Sequence, residues 1–137
     1  MTTINATKDD FAKLYNGLVE VKDLKSKKFA LAASKNMQII KGALEHIEEL
    51  NKPSEEFIEL AQKITAIAKE NNESSEQQVK DLEESNANLI QERKDQLDLV
   101  RETLKENLEL ELHFVSEEIL PDEINAEQIN NIIKIIE

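Results

Sequence analysis

The chain has 137 residues, 34% charged and 39% hydrophobic, with two glycines, two prolines, no cysteine and a formal net charge of −12. That length suits a single domain. The lack of cysteine excludes disulfides and thiolate metal sites, and the negative charge disfavours direct contact with nucleic-acid phosphates.

The charge is unevenly spread. Residues 1–50 carry eight lysines against seven acids, residues 51–100 six basic groups against twelve acidic, and residues 101–137 three against ten. Such a surface favours solubility or a protein partner with a basic face. Good helix formers dominate, and aromatic residues make up only 4% of the chain. The longest clean apolar run, Phe29 to Ala33, has five residues, whereas a membrane span needs about 20. Met1-Thr2-Thr3 opens without the basic start and apolar core of a signal peptide. The expectation is a soluble protein of a host cytoplasm or a virion.

In chain order, Thr7-Lys8-Asp9-Asp10 reads as an N-cap with acids in the first turn. Phe11, Leu14, Tyr15 and Leu18 then define a short amphipathic helix ending near Gly17–Val19. Residues 18–22 also suit a short strand, because Val19 and Val21 flank Glu20. The lysine-rich stretch Lys22–Lys28 is a solvated connector, since no aromatic residue interleaves it as in a nucleic-acid or anion patch.

Phe29, Ala33, Met37, Ile40, Leu44, Ile47 and Leu50 form the cleanest apolar stripe, a second helix from Lys27 or Lys28 to Leu50. Gly42 in its middle is expected to admit a closely packed helix. Asn51-Lys52-Pro53-Ser54 breaks the pattern. A third helix follows from Ser54 to Lys69, with Phe57, Leu60, Ala61, Ile64, Ile67 and Ala68 on its stripe. Residues 71–78 then make a polar turn between antiparallel helices.

Val79 to Leu108 reads as one long helix, about 45 Å in length for about 30 residues. Its first half holds few apolar residues, and its heptad order breaks between Leu89 and Leu97. At Leu108 the period changes to two. Leu108, Leu110, Leu112 and Phe114 alternate with Glu109, Glu111 and His113, which argues a half-buried strand. Leu and Glu are not strong strand residues, and a continued helix is the alternative. The strand's partner is expected to be residues 18–22 or the same strand of another subunit. Pro121-Asp122-Glu123 is a turn, Asn125 and Gln128 make a capping box, and Ile129, Ile132, Ile133 and Ile136 form the apolar face of a docked terminal helix.

No glycine-rich phosphate loop, nucleophile elbow or histidine-centred triad occurs. His46 with Glu49, and His113 with Glu109 and Glu111, are the only combinations suggestive of a metal. Two histidines and no cysteine fall short of the usual ligand set, and the surface reading prevails. No cofactor, metal or enzymatic activity is expected.

The segments Phe29-Ala30-Leu31-Ala32-Ala33-Ser34-Lys35-Asn36 and Ile119-Leu120-Pro121-Asp122-Glu123-Ile124-Asn125, with a polar middle and an Ile-rich end, resemble the small acidic proteins of tailed bacteriophages in layout. The resemblance implies a phage origin and a binding role. The sequence is thus read as a single, mainly α domain over 1–137, an elongated antiparallel helical hairpin or bundle with at most a short β element near Leu108–Phe114. The expected function is non-enzymatic and works through protein contacts, as a virion component or assembly factor. The alternative is an acidic inhibitor of a host defence or nucleic-acid-processing enzyme. The candidate interaction residues are Leu108, Leu110, Leu112, Phe114, Ile129, Ile132, Ile133 and Ile136, and self-association is expected through them.

Overall fold

The computed structural model describes residues 1–137. The fold is mainly helical, with one two-stranded antiparallel sheet. It divides into two compact units, one built from residues 1–47 and 102–137, the other from residues 48–101.

In the first unit, strand β1 (Thr2–Thr7) pairs antiparallel with β2 (Asn107–Leu112). Ile4 faces Leu110 and Ala6 faces Leu108 in the register. Period two puts these four on one half-buried face, with Thr3, Asn5, Glu109 and Glu111 exposed on the other. The expected strand is present but ends at Leu112, so Phe114 lies beyond it. Its partner within the chain is β1, not residues 18–22.

Helix α1 (Lys8–Val21) starts where β1 ends. Thr7 caps it in a capping box: the Asp10 N–H donates to Thr7 Oγ1 at 3.0 Å and the Thr7 N–H donates to Asp10 Oδ2 at 3.2 Å. The helix does not stop near Gly17 and carries no strand after Leu18, because Phe11, Leu14, Leu18 and Val21 all lie on its buried side. Helix α2 (Lys27–Asn51) keeps its stripe, with Phe29, Ala33, Ile40, Leu44 and Ile47 buried. The Ser26 hydroxyl accepts from the Phe29 N–H and donates to the Ile119 carbonyl at 2.6 Å, tying the start of α2 to a distant loop.

In the second unit, Ser54 caps helix α3 (Glu55–Glu70) by accepting from the Phe57 N–H at 3.1 Å. Asn71 ends it in the left-handed conformation, φ 45°. The Asn72 carboxamide oxygen then accepts from the Ser74 N–H and from the hydroxyls of Ser74 and Ser75, which organises the start of helix α4 (Ser75–Ser85). The polar turn is therefore only Asn71–Ser74, and residues 75–78 are helical. Helix α4 packs along α3.

The single helix expected over 79–108 is two helices. Asn86 breaks it at φ −119° and ψ 27°, with both its backbone N–H and its carboxamide donating to the Leu82 carbonyl. Ser85 likewise turns its hydroxyl back onto the Asp81 and Leu82 carbonyls. Helix α5 (Ala87–Leu104) follows. Gln96 and Arg93 of α5 donate to the Leu50, Asn51 and Lys52 carbonyls, which would otherwise lack partners as α2 runs out.

The C-terminal segment belongs to the first unit. The Asn125–Gln128 capping box opens helix α6 (Ala126–Asn131), which lasts only six residues before a 3-10 turn at Ile133–Ile135. That change of period overturns the expected apolar face. Ile132 and Ile135 are buried, Ile129 and Ile136 are half-buried, and Ile133 is 53% exposed. Val115 and Ile136 form a parallel bridge, in which the Val115 N–H donates to the Ile135 carbonyl at 2.8 Å and the Glu137 N–H donates to the Val115 carbonyl at 3.0 Å.

Glycine has a packing role at one position, and it is not Gly42. A Cβ on Gly42 meets nothing within 4 Å, whereas one on Gly17 meets Asn131 Cβ and the Asn131 carbonyl oxygen at 3.0 Å. Gly17 is where α6 rests on α1.

Candidate interaction surfaces

The residues singled out from the sequence do not form one patch. Leu112 and Ile132 are core, and Leu108, Leu110, Phe114, Ile129 and Ile136 are half-buried. Only Ile133 is open to solvent. The pairing of β1 with β2 removes the unpaired strand that pointed to a second subunit.

Two polar constructions hold this unit together. Asn36 is fully buried on α2, yet both ends of its carboxamide are used. Its Nδ2 donates to the His113 carbonyl at 2.8 Å, and its Oδ1 accepts from the His113 N–H at 2.7 Å. The side chain acts as a neighbouring strand would, one residue past the end of β2. At the other end of the sheet, Lys8 lies between His46 and Glu106. Its ammonium donates to Glu106 Oε1 at 2.7 Å and stands 3.2 Å from His46 Nε2, while the Lys8 N–H donates to the Glu106 carbonyl. The hydrogen bond from Lys8, with its charge, lowers the Glu106 carboxyl below the ordinary range. Asp10 is lowered as well, by its hydrogen bonds to the Thr7 backbone and side chain.

No group of three or more His, Asp or Glu side chains is arranged to hold a metal ion. His46 meets Lys8 rather than Glu49, and His113 lies beyond the strand that carries Glu109 and Glu111. No helix is long and apolar enough to cross a membrane.

Large apolar side chains are exposed in both units, Met1, Val19, Leu31 and Ile133 in the first and Ile58 and Leu99 in the second, but the second unit has the fewer buried residues. From residue 48 to 101 only Leu60, Ser75 and Val100 are buried. The expected stripe of α3 is there in part: Leu60 is buried and Phe57, Ile64 and Ile67 are half-buried, but Ala61 and Ala68 are exposed. Away from Leu60, Ile64 and Ile67, a hollow of about 510 Å³ runs along α3, bordered by Phe57 and Ala61 and lined further by Ile58, Thr65, Ala66 and Lys69. Ile58 is 40% exposed there. The sequence reading passed over this face because Ile58 stands off the stripe, alone among polar and small residues. Near the start of α3, Arg93 lies 5.8 Å from the centre of the Phe57 ring, a cation–π distance.

Comparison of the chain with protein-family models, curated proteins and solved structures finds no match. The molecule is defined by its own architecture: a mainly helical protein with a two-stranded sheet and a thinly packed, acidic helical unit.

Proposed function

We propose that the chain is a non-enzymatic, phage-type protein that works through protein–protein contacts, as a virion component or an assembly factor. The observation that carries this reading is the state of residues 48–101, a helical unit with three buried residues and an open apolar hollow on α3. Units this small and thinly packed commonly gain stability from a partner. The resemblance in layout to small acidic phage proteins, read from the sequence, points the same way. So does the arrangement of helices, taken here as antiparallel within the second unit: α4 packs along α3, and α5 reaches the segment before α3 through Arg93 and Gln96.

The experiment is deletion of the coding sequence from the phage that carries it, with mass spectrometry of purified particles. Presence in wild-type particles identifies a virion component. Absence from particles, with a fall in particle yield on deletion, identifies an assembly factor. Absence with unchanged yield overturns both.

A second reading rests on charge. Residues 48–101 carry fourteen acids against seven basic groups, a surface suited to occupying the basic channel of a nuclease or helicase. Inhibition of such a host enzyme by the purified protein, relieved at high salt, favours this reading over the first.

A further inference from the structure

We propose that the exposed face of α3 is a self-association surface, and that its occupant is α3 of a second copy lying antiparallel across a two-fold axis at Gln62. This rests on the proposed function in taking the α3 hollow as a contact surface, and it names a second copy of the chain as the occupant. Sedimentation of the purified chain tests the occupant, and the particle experiment tests the function.

Glu55, Ile58, Gln62, Thr65, Ala66 and Lys69 lie within about 60° of one line along the helix at 3.6 residues per turn. This line runs along the hollow. It lies opposite Leu60, Ile64 and Ile67, with Phe57 bordering the hollow at its start, so the face is open while α3 packs along α4. The line is also self-complementary. A two-fold axis at Gln62 sets Glu55 of one copy against Lys69 of the other, and Ile58 against Ala66, each twice. Gln62 meets its own counterpart, and a carboxamide both donates and accepts. A large apolar side chain thus faces a small one, and an acid faces a base. Neither Glu55 nor Lys69 takes part in an ion pair within the chain. Closed two-fold pairing through one patch is the commonest form of homo-oligomer.

The charge pattern selects a second copy over a different partner. The first half of α3 carries Glu55, Glu56 and Glu59, and the second half carries Lys63 and Lys69 before Glu70. A uniformly basic helix would meet lysines at one end, whereas an antiparallel copy meets opposite charge at both. A face about 24 Å long, for about 16 residues, and about 10 Å wide covers about 240 Å², well under the roughly 800 Å² per partner of a standard interface. The dimer is accordingly weak, and concentrations approaching millimolar are used to populate it.

Sedimentation equilibrium from 5 μM to about 1 mM in about 0.15 M salt reads the association directly. Wild type shows a reversible monomer–dimer equilibrium, and Ile58→Glu is monomeric throughout with unchanged circular dichroism. Glu55→Lys and Lys69→Glu each weaken the dimer at least threefold, and the two together return it to within about twofold of wild type, by the same ion-pair logic in reverse. Because the chain has no cysteine, Gln62→Cys forms a disulfide dimer on mild oxidation, while Gln91→Cys on α5 stays monomeric. A monomer at every concentration overturns the proposal. So does a dimer indifferent to Ile58→Glu, or one in which the charge swap fails to restore association.

Discussion

The buried carboxamide of Asn36 makes two hydrogen bonds to the backbone of His113, donating to its carbonyl and accepting from its N–H. A side chain on α2 thereby fixes where β2 ends and where the chain turns toward Val115. Removing it leaves two backbone groups without partners in the interior. At about 1–3 kcal/mol for each unsatisfied group, Asn36→Ala is expected to lower stability by about 2–6 kcal/mol, measured by urea unfolding.

Asn36→Asp separates the two bonds. An ionised carboxylate still accepts from the His113 N–H but opposes the His113 carbonyl. Burial and that repulsion raise the folded-state pKa of the aspartate above its unfolded value. Proton binding then favours the folded state, so the variant gains stability as pH falls from 7 toward 5. Urea midpoints at the two pH values give the sign, and a midpoint that falls with pH counts against this account.

Wild type is expected to move the other way in acid. Glu106 and Asp10 both have folded-state pKa values lowered, by Lys8 and by Thr7 respectively. Each contributes stability that is present above the unfolded carboxylate pKa and is lost as pH falls through the folded one. Stability should therefore decline below about pH 4.3. Lys8→Gln flattens that decline by removing the cause of the Glu106 shift, and thermal unfolding between pH 3 and 6 checks it.

The two glycines should respond in opposite directions. Gly42→Ala adds a methyl group into open space within a helix and is expected to stabilise by about 0.5–1 kcal/mol. Gly17→Val forces carbon atoms against Asn131 and Ile132 and should cost about 1–3 kcal/mol, the usual penalty of overpacking. Melting temperatures of the two variants, compared with wild type, decide it.

Neighbouring isoleucines provide a sharper contrast. Ile135 is fully buried and Ile133 is 53% exposed. Ile135→Ala is expected to cost about 2–5 kcal/mol, while Ile133→Ser stays within about 0.5 kcal/mol of wild type. A regular helix through residue 136 would give the reverse order.

What the sequence conveyed and what it concealed follow one division. Patterns repeated over several turns were legible: the α2 stripe, the Thr7 and Asn125 caps, and the alternation of Leu108, Leu110 and Leu112 all appear in the structure. Features decided by a single polar residue were not. Asn86 splits a run of good helix formers through its hydrogen bonds to Leu82, and Asn36 sits inside an apolar stripe with nothing in its neighbours to announce a partner 77 positions away. The terminal isoleucines misled because the helical period holds for only six residues before the 3-10 turn. Strand β1 was missed because its pairing is made by backbone groups, and its only large apolar residue is Ile4. The α3 hollow combines one isoleucine with small residues, which no hydrophobic periodicity marks.

The pairing of β1 with β2 also sets an order of events during synthesis. Lys8 and Glu106, at the end of the ladder, stand 98 positions apart. At about 5–20 residues per second, the first strand leaves the ribosome roughly 5–20 s before its partner exists. Residues 48–101 emerge in that interval and need neither strand. For that time β1 is an unpaired edge, the kind of segment that recruits foreign chains when it is apolar. Three threonines and an asparagine among its six residues make it a poor template. The polarity that hides β1 from a periodicity search is what allows the nascent chain to carry it safely until Asn107–Leu112 arrives.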